Sequence, residues 1–70
     1  MLEMMMIQTT TMLVTFKQAK KNMMSSFFCA NIDVSGIVIT KNGIDLSNVK
    51  DRSRDGDIIN IYNRWMERIR

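Results

Sequence analysis

The residues in this sequence that are best suited to chemistry are basic. Lys17, Lys20 and Lys21 have the i, i+3, i+4 spacing that places side chains on one face of a helix. Lysines near a helix start oppose the helix dipole, at a cost of about 0.3–1 kcal/mol each at an exposed site. A bound phosphate would offset this cost, because lysines and free backbone N–H groups would both point at it. The cluster therefore predicts a phosphate-binding surface, and the alternative is an ordinary solvated basic face.

Further basic residues follow later in the chain. Lys50, Arg52 and Arg54 alternate with other residues in a polar stretch, where arginine could bind a phosphate through two parallel hydrogen bonds. Two aspartates in the same stretch equally favour a soluble loop whose charge is partly neutralised. Lys41 follows a predicted hairpin strand, and we expect it near the first lysine cluster.

Catalytic and metal chemistry have little support. The chain has no histidine and a single cysteine, Cys29, which excludes the usual zinc sites, a serine-protease type triad and an internal disulfide. Asp55-Gly56-Asp57 is better explained as a turn than as a metal site. We therefore expect no enzyme activity, no cofactor, no metal and no small-molecule substrate.

The composition indicates one small domain over residues 1–70. Hydrophobic residues make up 46% of the chain, too many for a disordered tail, and the net charge of +3 is compatible with a polyanionic partner. The apolar stretch 1–14 has no basic residue, which disfavours a signal or transit peptide, and it is too short to span a bilayer. We therefore expect no membrane partner.

Periodicity predicts an α+β fold. Helical spacing of apolar residues predicts a first helix over 2–14 and a second over 18–29. Phe27, Phe28 and Cys29 are expected in the core rather than on a surface that stacks bases. Alternating β-branched residues predict two antiparallel strands within 32–41, joined at Ser35-Gly36. Asn42 and Gly43 predict a type I′ turn followed by an edge strand over 44–46, and 47–55 is expected to be a loop.

The C-terminal stretch allows two interpretations. Ile59 and Ile61 alternate as in a strand over 58–62, whereas apolar spacing near 3.6 and propensity favour a helix over 57–70. Trp65, Met66 and Ile69 form an apolar stripe. This stripe either closes the core or docks a neighbouring protein or RNA.

Two motifs resemble the S-four RNA-binding domain. The hallmark strand of that family, Val-x-Val-Asn-Gly-x-x-Val-x-Lys, is matched in register by Ile32, Val34, Ser35, Gly36, Ile39 and Lys41. Its closing motif, Gly-Asp-x-Ile-x-Val, is matched by Gly56, Asp57, Ile59 and Ile61. The resemblance covers residues 6–61. It departs from the family at Met6, which replaces an arginine of the first helix, and in a longer segment between the two motifs.

The resemblance implies two N-terminal helices packed on a small antiparallel sheet, with 58–62 as a strand and 63–70 as a short C-terminal helix. It implies ribosomal RNA as the partner, beside neighbouring ribosomal proteins, in the small subunit of a cytoplasmic or mitochondrial ribosome. The phosphate contacts would come from Lys17, Lys20, Lys21, Lys41, Lys50, Arg52 and Arg54. A different hypothesis is a small oligomerising adaptor or phage regulator that pairs through one continuous helix over 57–70.

Overall fold

The structure, a computed structural model, describes residues 14–69. Helix α1 (Phe16–Cys29) is followed by a hairpin of strands β1 (Val38–Thr40) and β2 (Gly43–Asp45), a 3-10 turn (Arg52–Arg54) and helix α2 (Asp55–Met66). The predicted α+β class is confirmed, but the order in the described residues is helix, hairpin, helix. The helix predicted over 2–14 lies outside the described residues, except for Val14.

Helix α1 has well-defined ends, and the helix predicted over 18–29 is confirmed with an earlier start. The hydroxyl oxygen of Thr15 accepts a hydrogen bond from the Gln18 N–H at 3.1 Å, which caps the helix start. At the other end, Asn31 takes the left-handed conformation with φ 61°, and the N–H of Ile32 donates to the Phe27 carbonyl at 2.9 Å. This is a Schellman motif, which satisfies carbonyls left open by the helix end.

The hairpin forms later in the chain than predicted. Strands β1 and β2 pair antiparallel with Ile39 opposite Ile44, and Lys41 and Asn42 connect them. The turn and edge strand predicted near Gly43 are confirmed. The turn is not type I′, because neither Lys41 nor Asn42 has a positive φ. It is held instead by Thr40, whose hydroxyl accepts from the Asn42 N–H at 3.2 Å and donates to the Gly43 carbonyl at 2.8 Å.

The prediction that Ser35 and Gly36 join two strands is wrong. They form a turn, but residues 32–34 form no strand. Gly36 has φ +85°, and an added Cβ would collide with the backbone oxygen of Asn48 and lie 2.8 Å from its carbonyl carbon. The turn therefore packs directly onto the backbone of another loop, and no strand precedes it with which a hairpin could form.

The C-terminal stretch is a helix, so the strand over 58–62 implied by the resemblance is wrong. Ile58, Ile61 and Tyr62 are the buried residues of α2, with the i, i+3, i+4 spacing of a helix face. A strand would have buried Ile59 together with Ile61, yet Ile59 is 42% exposed. The separate helix predicted over 63–70 is also wrong, because Asn63 lies within α2, which ends at Met66.

The segment 47–57 also differs from its prediction. Arg52–Arg54 form a 3-10 turn within the stretch expected to be a loop, and Asp51 caps it by accepting a hydrogen bond from the Ser53 N–H. Asp55 and Asp57 lie in the first turn of α2 rather than in a turn before a strand. Their negative charges there favour the helix, since they complement its dipole.

The two helices and the hairpin share one core. The buried residues come from all of these elements and the loops between them: Ala19, Met23, Phe27, Ile32, Ile39, Leu46, Ile58, Ile61 and Tyr62. The Tyr62 hydroxyl donates to the Thr40 carbonyl at 2.7 Å and so connects α2 to the hairpin. Within residues 14–69, neither helix has the length and apolar character needed to cross a membrane.

Polar contacts fix how α2 lies along α1. The Arg54 guanidinium donates to the Ala30 carbonyl at 3.2 Å, so α2 begins near the end of α1. After α2, the Arg68 carbonyl accepts from the Val14 N–H at 2.8 Å, which places the end of the described chain beside the start of α1.

Candidate functional site

The start of α1 carries the clearest charged surface. Lys17, Lys20 and Lys21, here called the lysine face, are all exposed. The sequence of α1 contains no aspartate or glutamate, and no carboxylate of residues 14–69 forms an ion pair with these lysines. The buried side of the helix is formed by Ala19, Met23 and Phe27, which leaves the lysine face outside the core. The three lysines thus share one exposed side of α1, as their spacing predicted, and phosphate binding by them stays a prediction.

The two arginines of the predicted site are held differently. The Arg52 guanidinium lies 2.6 Å from an Asp55 carboxylate oxygen, and Arg54 lies 2.8 Å from Asp57. Arg54 also donates to the Ala30 carbonyl, so its guanidinium supports the contact between the helices. Such surface pairs contribute little stability, but each cancels the charge that a phosphate would meet.

The predicted binding residues do not form one continuous patch. From Lys17 to Ala30, which Arg54 contacts, α1 and its cap rise by about 20 Å. The lysine face and the loop arginines therefore lie at opposite ends of α1. Lys50 is exposed in the loop before Arg52, and Lys41 is exposed in the hairpin turn.

Three aspartates of the loops accept backbone hydrogen bonds from the residue two positions later, in Asp-x-Ser turns. Asp33 accepts from the Ser35 N–H at 2.9 Å, and Asp45 from the Ser47 N–H at 2.9 Å. The third accepts from the Ser53 N–H at 3.0 Å. The Asp-x-Ser repeat is visible in the sequence, although the prediction of turns relied on glycine and missed it.

These hydrogen bonds lower the pKa of the three carboxyl groups. The pKa of Asp33 is lowered mainly by the Ser35 N–H, then by the Ser35 hydroxyl and by the charge of Lys50. The pKa of Asp45 is lowered by the Ser47 N–H and hydroxyl, and that of Asp51 first by the Ser53 hydroxyl and then by its N–H. The three carboxyl groups therefore keep their negative charge to a lower pH than an unperturbed aspartate does.

A cavity of about 570 Å³ opens between the loops that follow α1 and precede α2. Its lining includes Asp33 and Asp51 as well as Lys50 and Arg54. Because both acidic and basic groups line it, the cavity has no single sign of charge to attract an anion. Within residues 14–69 there is also no group of histidine, cysteine, aspartate or glutamate residues arranged to hold a metal ion.

The apolar stripe of Trp65, Met66 and Ile69 packs against the core, and all three residues are half-buried. The Trp65 indole N–H donates to the Ser26 hydroxyl at 3.0 Å, and the Arg68 guanidinium lies 5.0 Å from the ring centre. The structure thus shows the stripe closing the domain. A docking role for its exposed portion remains a prediction.

Phe28 is the residue that the sequence interpretation misplaced most clearly. Phe27 is fully buried, but Phe28 is 83% exposed, and Cys29 is also exposed. The prediction that Phe28 and Cys29 belong to the core is therefore wrong. The helical spacing already held the answer, because Phe28 follows Lys17 and Lys21 at i+11 and i+7, on the side away from Met23 and Phe27.

Comparison of this chain with protein-family models, curated proteins and solved structures finds no significant match.

Proposed function

We propose that this chain is an RNA-binding module whose lysine face holds the phosphate backbone, and that its RNA is that of a small ribosomal subunit. The observation that carries the proposal is the contrast between the two basic regions. Lys17, Lys20 and Lys21 are exposed on a helix without acidic residues, whereas Arg52 and Arg54 are paired with aspartates. Only the first region offers concentrated positive charge.

RNA suits this surface better than a partner that must be read base by base. RNA helices are recognised mostly through their shape, phosphates and 2′-hydroxyls, and lysines supply contacts of that kind. Lys41 and Lys50 would add phosphate contacts, since both are exposed. Arg52 and Arg54 would contribute only after leaving Asp55 and Asp57. The ribosome that we propose is cytoplasmic or mitochondrial, with neighbouring ribosomal proteins against the stripe at Trp65.

The loss of RNA affinity expected when lysine charges are removed follows from counterion release. Each phosphate contact contributes about 0.7–0.9 to the slope of log affinity against log salt concentration. If Lys20 and Lys21 each hold one phosphate, removing both charges lowers the slope by about 1.4–1.8. At 0.1 M salt, a slope lowered by this amount corresponds to RNA binding that is roughly 25- to 60-fold weaker.

The test compares two variants with the same change in net charge. Lys20→Gln with Lys21→Gln removes two positive charges from the lysine face, and Asn60→Asp with Asn63→Asp adds two negative charges to exposed positions of α2. Binding is measured by fluorescence anisotropy with a labelled 12-nucleotide single strand and a 16-base-pair RNA duplex between 50 and 300 mM KCl. We expect the lysine variant to lose affinity and salt dependence, and the asparagine variant to bind nearly as the wild type does.

Equal losses in both variants would show that only net charge matters and would contradict a site on α1. The ribosomal part of the proposal is tested separately, by sedimentation of the native protein in a sucrose gradient. We expect it in the small-subunit fraction at low salt and in the free fraction at high salt. Absence from that fraction at every salt concentration would refute the ribosomal assignment.

The adaptor hypothesis requires that the apolar residues of the C-terminal helix, from Ile58 to Ile69, are free to pair with a second copy of the chain, and these residues include the stripe at Trp65. Helix α2 exists, but Ile58, Ile61 and Tyr62 are buried inside the same chain. Pairing through that stripe would therefore require the domain to open. Sedimentation equilibrium of the pure protein separates the two functions. We expect a monomer, and a stable dimer that does not respond to RNA would favour the adaptor.

A further inference from the structure

The most exposed of the large hydrophobic side chains in residues 14–69 is that of Phe28, at 83%. Its exposure follows from helix geometry, because successive residues are about 100° apart and the preceding Phe27 is fully buried. The packing of α1 therefore does not use the Phe28 ring, and its face is open to a ligand.

Phe28 lies on the same side of α1 as the lysine face. Lys17, Lys21, Met24 and Phe28 follow one another at i, i+4, i+7 and i+11, and Met24 is 39% exposed. The row from Lys17 to Phe28 is about 16 Å long. Its first half is positively charged and its end presents an aromatic ring.

A single strand of nucleic acid has the chemistry that matches such a row. Its phosphates bind lysines, and its bases stack on aromatic side chains. A stacked strand advances about 3.4 Å per nucleotide, so the row corresponds to roughly five nucleotides. A protein partner typically buries about 800 Å² on each side around an apolar centre, and Phe28 with part of Met24 is a small centre for such an interface.

We infer that Phe28 stacks on an unpaired base of the RNA held by the lysine face, so that the module selects RNA with a single-stranded segment. The inference rests on the proposed function and deepens it by naming the class of RNA. Stacking requires a flat π face, whereas a simple apolar contact would accept any hydrophobic side chain.

Three substitutions of Phe28 distinguish base stacking from a simple apolar contact. Phe28→Ala removes the ring, Phe28→Leu keeps an apolar side chain without a π face, and Phe28→Trp enlarges the stacking surface. All three are placed at an exposed position, and circular dichroism checks that the fold is retained. The probes are an unstructured 12-nucleotide RNA and the duplex that it forms with its complement, measured by fluorescence anisotropy.

We expect Phe28→Ala and Phe28→Leu to weaken single-strand binding by roughly 5- to 150-fold, the range measured for loss of a stacked base. Phe28→Trp should bind the single strand at least as tightly as the wild type. Duplex affinity should change less than twofold in all three variants. The salt dependence of single-strand binding should also stay unchanged, because no charge has been removed.

If Phe28→Leu binds the single strand as tightly as the wild type does, the stacking inference is overturned. It is also overturned if Phe28→Ala loses the same factor of affinity for the single strand and for the duplex. If Lys20→Gln with Lys21→Gln weakens RNA binding while the Phe28 variants bind as the wild type does, the stacking inference fails and the proposed function stands. If the lysine variant also binds both probes as the wild type does, the proposed function fails with it.

Discussion

Two adjacent isoleucines give a sharp test of how the C-terminal stretch folds. Ile58 is 1% exposed and Ile59 is 42% exposed, because α2 turns only Ile58 toward the core. In a strand over 58–62 the burial would be reversed, since Ile59 would share the buried face with Ile61. Replacing each isoleucine by alanine makes the same chemical change at both positions, and only the surroundings differ.

The expected losses of unfolding free energy follow from how deeply each isoleucine is buried. Ile58→Ala removes buried side-chain atoms and leaves a cavity, which typically costs about 2–5 kcal/mol. Ile59→Ala removes partly exposed atoms, and alanine is a better helix former by a few tenths of a kcal/mol, so we expect a net change within about 0.5 kcal/mol. A domain of 70 residues has a total stability of about 3.5–10 kcal/mol, so the first loss is a large fraction of the whole.

The free energy of unfolding is measured by urea titration, with helix content followed by circular dichroism. If Ile58→Ala does not fold, Ile58→Val supplies the comparison, with an expected cost of about 0.5–1.5 kcal/mol. An Ile59→Ala variant that loses more stability than Ile58→Ala would refute the helical assignment, because only a strand buries Ile59 and exposes Ile58. That result would restore the closing strand that the S-four resemblance implies.

The remaining predictions concern a turn, a hydrogen bond and the dependence of stability on pH. Gly36→Ala should destabilise the protein by about 1–3 kcal/mol in urea titration, because the new Cβ meets the Asn48 backbone at a positive φ; unchanged stability would contradict that close approach. Trp65→Phe and Ser26→Ala should each lower the free energy of unfolding by about 0.5–1.5 kcal/mol, because each removes the hydrogen bond between the two side chains. The double variant should lose less than the sum of the two, and additive losses would show that this hydrogen bond contributes nothing. The melting temperature should fall as the pH drops below about 4. The carboxyl groups of the three Asp-x-Ser turns have pKa values lowered from 3.8 in the folded protein, so their charge stabilises the fold and is lost when they are protonated. Asp45→Asn should reduce that fall, since an amide oxygen accepts the same hydrogen bond without titrating, and an unchanged pH profile would exclude Asp45 as a contributor.

Local signals predicted the parts of the fold whose contacts are close in sequence. Helix α1 follows from the recurrence of Ala19, Met23 and Phe27, and strand β2 follows from the turn signal of Asn42 and Gly43. The lysine face is also a local feature, because spacing along one helix places its three side chains together whatever the rest of the chain does. These features needed only periodicity and turn chemistry.

Other features depended on which surfaces meet in space. The stretch around Ile59 satisfies both a strand period and a helix period, and packing against α1 selected the helix. Likewise, alternating β-branched residues placed Gly36 between two strands, but residues 32–34 form no strand and the turn at Gly36 packs on the backbone of Asn48. Local sequence could not decide either case, because each depends on a partner segment distant in sequence.

The sequence by itself therefore determined a helix with three lysines on one face, since neighbours on a helix are fixed by a spacing of three or four residues. The tertiary structure decided which basic residues keep an exposed, concentrated charge. It brought Arg54 to the Ala30 carbonyl and paired it with Asp57, and it left the Phe28 ring in solvent while Phe27 filled the core. Charge neutralisation and burial are properties of the surroundings of a side chain, and those surroundings exist only once the chain has folded.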